Sequence, residues 1–99
     1  VYNVELKKLQ KQQQQQRGYF GTIHEISLGA LNDIVEIVDN RYQTLAYYGF
    51  DKKILHEFVV SNNLQGIDRI IPIGRALEMD IIWDGYDVVE HLSRVVNIQ

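Results

Sequence analysis

Near the C-terminal end, Trp83-Asp84-Gly85-Tyr86-Asp87 sets two carboxylates and two aromatic rings in one short run. Loops carry binding residues more often than cores do, so Trp83, Asp84 and Tyr86 are candidates for lining a substrate channel. The same residues suit a plainer task, with Trp83 buried as a loop anchor and Asp84 capping the next helix. Arg69 and Arg75 flank an apolar stretch just upstream. Their guanidinium groups fit either a phosphate or an ion pair with Asp68 or Asp80. His24, His56 and His91 lie more than 30 residues apart on three elements, with no metal-ligand spacing, so no metal site is expected. Asp33, Glu36 and Asp39 read as the solvated face of a helix rather than as general acids or bases. The chain has no cysteine, which excludes a disulfide, a thiolate zinc site and a cysteine nucleophile within it. It has no Gly-x-Gly-x-x-Gly turn, so no dinucleotide fingerprint can be placed. No catalytic residue is expected in these 99 residues.

The elements that must position these groups follow from periodicity. In residues 1–17, Tyr2, Leu6 and Leu9 recur at helical spacing ahead of the run Gln12–Gln16. We expect an amphipathic helix there that frays into a polar segment. Residues 18–99 form the second unit, an α/β portion. Tyr19–Ile26 reads as a strand, and Ser27 is placed to cap a helix whose buried stripe is Leu31, Ile34, Val35 and Val38. Tyr42–Tyr48, rich in aromatic and β-branched residues, reads as a strand closed by Gly49. Asp51 is a good N-cap for a helix burying Ile54, Leu55, Phe58 and Val59, which Asn62, Asn63 and Gly66 end. Ile67–Ile73 is a nearly continuous apolar strand, with the single proline, Pro72, at an edge or exit position. Gly74–Gly85 reads as a loop, Tyr86–Leu92 as a short helix and Ser93–Ile98 as a terminal strand. Strands alternating with helices imply crossovers, hence an α/β fold with a mostly parallel sheet and flanking helices.

Composition bounds the rest. One domain at most fits this length, with a modest core. Apolar residues make up 45%, against disorder over most of the chain. A formal charge of −3 and a pI near 5.5 give no electrostatic reason to bind nucleic acid or an anionic membrane. No apolar run approaches the roughly 20 residues that cross a bilayer, and no signal peptide opens the chain. We expect a cytoplasmic location. The start at Val1, without Met, leads us to expect a fragment.

From Phe20 to Gln99 the order of elements resembles the last part of an aldehyde dehydrogenase catalytic domain. Phe20-Gly21 is similar to its strand entry, and Asp39-Asn40-Arg41-Tyr42-Gln43-Thr44-Leu45 to the sequence near its helix end. Arg41–Phe50, Arg69-Ile70-Ile71-Pro72-Ile73-Gly74 and Trp83-Asp84-Gly85-Tyr86-Asp87 resemble the fatty-acyl-CoA reductases of the bioluminescence type within that superfamily. The resemblance implies reduction of a fatty acyl thioester to an aldehyde with NADPH or NADH, through an acyl-cysteine. It places the cysteine, the oxyanion donors and the Rossmann motif upstream of this region, so this piece by itself is expected to be inactive. It implies that Phe20 packs against a cofactor ribose, and that the C-terminal strand, Ser93–Gln99, pairs subunits into a homo-oligomer. Gly18 stands where many members carry a ribose-binding glutamate, and Gly74–Gly85 replaces their GG-containing loop. The alternative is a non-catalytic α/β binding or oligomerisation module that stands alone.

Overall fold

A computed structural model describes residues 1–11 and 18–99. The glutamine run and the boundary after residue 17 lie outside them. Among the described residues, three separate two-stranded sheets, two α-helices and a 3-10 helix make up the regular structure.

The first sheet pairs β1 (Tyr2–Glu5) with β2 (Thr22–Glu25) in parallel, Tyr2 opposite Thr22. This corrects the helix expected from the spacing of Tyr2, Leu6 and Leu9. A helix of about ten residues is marginal in water without packing. Val1, Tyr2 and Val4 suit a strand, and the edge of β2 offers them partners: Tyr2 N–H donates to Gly21 C=O at 3.0 Å and Leu6 N–H to Glu25 C=O at 2.7 Å.

After β2 the expected helix is only a 3-10 helix at Leu31–Ile34 followed by turns. Its stripe is right in side, since Leu31, Ile34, Val35 and Val38 are half-buried. Its winding is tighter than an α-helix: Val35 N–H donates to Asn32 C=O and Ile37 N–H to Ile34 C=O, both at 3.1 Å. Asn32 and Asp33 compete with helical hydrogen bonds, and Ile34, Val35, Ile37 and Val38 lose side-chain freedom in a helix. Ser27 does not cap this turn. Ala30 occupies that place, and the Asp33 carboxylate reaches back to the N–H groups of Gly29 and Ala30, each at 3.2 Å.

The second sheet is the best-formed part. β3 (Gln43–Tyr47) pairs in parallel with β4 (Ile67–Pro72), and α1 (Lys52–Ser61) makes the crossover between them. α1 begins where its cap requires, with an Asp51 carboxylate oxygen accepting from Lys53 N–H at 2.7 Å. It ends in a Schellman motif: Leu64 N–H donates to Val59 C=O and Asn63 N–H to Val60 C=O, with Asn63 at φ 45°. Leu55 and Phe58 on its inner face are the two buried apolar side chains among the described residues. Ile73 N–H donates to Tyr47 C=O at 2.9 Å, so the nitrogen of the preceding Pro72 points away from β3. A proline there removes no ladder bond.

The third sheet is a hairpin of β5 (Ile82–Trp83) and β6 (Tyr86–Asp87), which runs directly into α2 (Val88–Leu92). Asp84 and Gly85 turn it with φ of 50° and 80°, the backbone a primed hairpin turn demands. The expected cap role of Asp84 therefore falls to Asp87, whose carboxylate accepts from Glu90 N–H at 3.1 Å. Ser93–Gln99 forms no strand, and Val95 and Ile98 are 97% and 90% exposed. The terminal strand expected there is corrected: its alternation is apolar enough, but no described edge pairs with it.

The chain is spread out. Its radius of gyration is 17.1 Å, against about 13 Å for a compact chain of this length. It exposes 8799 Å², where a compact protein of 11.5 kDa exposes about 5,800 Å².

Candidate functional site

A groove of about 690 Å³ opens between α1, β4 and the segment that follows β4. That size falls in the range of ligand pockets. Its floor is apolar, from Leu55 and Val59 on α1, Ile70 and Ile71 on β4, and Met79 and Ile82 beyond it. β4 supplies the isoleucines Ile67, Ile70 and Ile71, and Ile70 and Ile71 both border the groove. Charged groups sit around it: Lys52 and His56 from α1, Asp68 and Arg69 from β4, and Arg75, Glu78 and Asp80 from the following turn.

Most of these charges already have partners. Arg69 donates to Ala76 C=O at 2.6 Å and also to Glu78 C=O, and its guanidinium stacks over the Trp83 ring at 4.7 Å. Neither an ion pair of Arg69 with Asp68 nor one of Arg75 with Asp80 forms; main-chain carbonyls and an indole face take the Arg69 fork instead. Arg75 pairs with Glu78 at 2.5 Å, three residues along the turn that follows β4. That hydrogen bond holds the Glu78 carboxyl below the usual glutamate range and raises Arg75. Asp80 accepts from the Ile81 N–H at 2.6 Å. Asp39 likewise binds Arg41, raising the guanidinium's pKa. Asp33 and Asp39 thus serve as backbone and arginine partners.

Of the residues singled out in the sequence, Trp83 is half-buried against Arg69, and this contact ties the two halves of the motif, Arg69–Gly74 and Trp83–Asp87, together. Asp84 is exposed at the hairpin turn. Tyr86, 59% exposed, packs against His91 with ring centroids 5.1 Å apart. None of the three lines the groove. Phe20 is 99% exposed, at φ 55° in the turn before β2. Sequence reasoning missed Lys52, His56 and Asp80 as groove residues. Lys52 and His56 stand four apart on one helix face, and that spacing was the available signal. It also read the hairpin as plain loop, although Asp84-Gly85 between an apolar and an aromatic pair is the strongest short-range hairpin signal.

The groove lining contains no serine, threonine or cysteine. It can hold an apolar group between charged walls. Among the described residues no cluster of three or more metal-ligating side chains occurs, and no helix is long and apolar enough to cross a membrane. A nicotinamide dinucleotide does not fit what the described residues provide: no glycine-rich turn opens a helix, and the Phe20 ring stands in solvent with no wall beside it. Comparison with known proteins gives no match: no family model fits this chain, and neither a curated protein nor a solved structure is similar to it.

Proposed function

We propose that this chain is the C-terminal part of a fatty-acyl-CoA reductase of the aldehyde dehydrogenase superfamily, a cytoplasmic enzyme that converts a fatty acyl thioester to an aldehyde with NADPH. Its own task is scaffolding. It supplies β3, α1 and β4 as one crossover of a mostly parallel catalytic sheet, and the reactive cysteine and the cofactor site come from other polypeptide. The observation that carries this reading is the Arg69–Trp83 contact, because it joins in space the two sequence segments on which the resemblance rests. An exposed surface about 3,000 Å² above that of a compact chain agrees with a supporting role, since a parallel sheet of two strands needs more strands and cover on both faces.

The test is made on the polypeptide that contains this chain. Incubated with fatty acyl-CoA and NADPH, it should release aldehyde, and without NADPH it should gain one acyl group on a cysteine by mass spectrometry. A folded parent polypeptide that takes up no acyl group defeats the reading.

The groove favours a second reading, a stand-alone α/β binding module. Under it the 99-residue chain alone is folded, and fatty acids shift the NMR signals of Leu55, Ile70 and Met79. No such shifts are expected if the chain is a scaffold.

A further inference from the structure

β3 leaves one edge of its sheet open. Gln43 N–H donates to Gly66 C=O at 2.8 Å, and Tyr47 C=O accepts from Ile73 N–H at 2.9 Å, so both residues aim their main-chain groups at the β4 side. Successive strand residues alternate in this respect, so Ala46 aims its N–H and C=O the other way. Among the described residues β4 is the only ladder partner of β3, and Ala46 is exposed.

An open edge is a template for another strand unless charge or proline guards it. The edge of β4 is guarded by Pro72, whose nitrogen faces outward, and by the charges of Asp68 and Arg69. The stretch Gln43–Phe50, by contrast, carries neither a charge nor a proline.

We propose that this edge of β3 is an interface between two copies of the chain, paired antiparallel about a two-fold axis through Ala46. A two-fold axis perpendicular to the sheet makes two identical edges run antiparallel. With Ala46 on the axis, its N–H and C=O exchange two hydrogen bonds with Ala46 of the second copy. A register centred on Leu45 joins Ala46 N–H to Thr44 C=O at its centre and calls on Thr44 N–H for the outer bonds; that N–H already donates to Tyr42 C=O at 2.6 Å, so two of the four bonds between Thr44 and Ala46 are lost. No like charges meet near the axis, so nothing electrostatic opposes the approach. Tyr48, 84% exposed at the end of the edge, gains cover. The chain has ample surface for this: a standard interface takes about 800 Å² per partner, well below the excess of roughly 3,000 Å². The proposal concerns this chain by itself and does not rest on the reductase reading, under which a strand of the larger sheet takes this edge instead.

The chain lacks cysteine, so single thiols report the pairing directly. Directly opposed residues of an antiparallel hydrogen-bonded pair lie about 5.5 Å apart at Cα, within disulfide reach. Light scattering at micromolar concentration should give twice the 11.5 kDa mass of one chain. Oxidised Ala46→Cys should form a covalent dimer, and Ser93→Cys should not. Ala46→Pro, which removes the cross-axis donor without touching the ladder to β4, should raise the dimer Kd about tenfold or more. If that variant unfolds by circular dichroism, Ala46→Lys takes its place: it should weaken the dimer, and added salt should restore it. A chain that stays monomeric overturns the proposal. So does a dimer that cross-links through Ser93→Cys and not through Ala46→Cys.

Discussion

Gly66→Ala tests the junction that launches the β3–β4 sheet. Gly66 has φ of 91°, and a Cβ placed on it would lie 2.1 Å from the Asp39 carbonyl oxygen and 2.6 Å from Asn40 N. Both neighbours are main chain, so neither can swing aside. The Gly66 C=O also accepts from Gln43 N–H at 2.8 Å, so a shift of Gly66 pulls on the first bond of the ladder. A side chain in the left-handed region costs about 1–2 kcal/mol, and the lost hydrogen bond adds about 1 kcal/mol. Relieving the overlap by moving backbone adds about 1–3 kcal/mol more. The sum is roughly 3–6 kcal/mol, a large share of the 5–15 kcal/mol that holds a domain together. Gly49→Ala is the matched control. Its φ is 79°, yet a Cβ there meets nothing within 4 Å, so it incurs only the conformational cost of about 1–2 kcal/mol. Urea unfolding followed by circular dichroism should therefore separate the two variants by about 2 kcal/mol or more. If Gly66→Ala is no less stable than Gly49→Ala, the close approach of Gly66 to Asp39 is not a feature of the folded chain and the reasoning fails.

Asp51→Ala should destabilise α1 by about 1 kcal/mol, because the Lys53 N–H loses its carboxylate acceptor; Asp51→Asn should recover most of that in the same unfolding assay. Arg69→Lys keeps the charge but loses the planar fork over Trp83, and should cost about 1–2 kcal/mol. Trp83 is the sole tryptophan, so its emission should shift to the red in that variant, and unchanged emission would count against the stacking. Glu78 should titrate below the ordinary glutamate range by NMR and return to it in Arg75→Gln. A folded-state pKa below the unfolded one means that the Glu78–Arg75 pair stabilises the fold above the unfolded glutamate pKa. That contribution is lost as pH falls through the depressed value; equal Glu78 pKa values in the two proteins would contradict the pair.

Elements with a complete local signal were legible before any coordinates. α1 is one: Asp51 supplies the start, Leu55 and Phe58 the buried stripe, and Asn63 the left-handed stop, all within fifteen residues of each other. β3 and β4 also stood out, because β-branched and aromatic residues are bounded by glycine at both junctions. The site was harder to read. Trp83 was singled out as a loop residue, but its partner Arg69 lies fourteen positions earlier, and nothing local distinguishes an arginine that stacks on an indole from one that binds a phosphate.

What the sequence by itself determined is therefore the set of short-range choices: where α1 starts and stops, where β3 and β4 run, and that no thiol chemistry belongs to this chain. Tertiary structure decided the choices that need a distant partner. Tyr2–Glu5 became a strand because β2 lies beside it, and Ser93–Gln99 did not because no described edge pairs with it. The reason is physical: caps and turns satisfy main-chain groups within a few residues, whereas a strand's hydrogen bonds are met only by whatever the rest of the chain brings alongside.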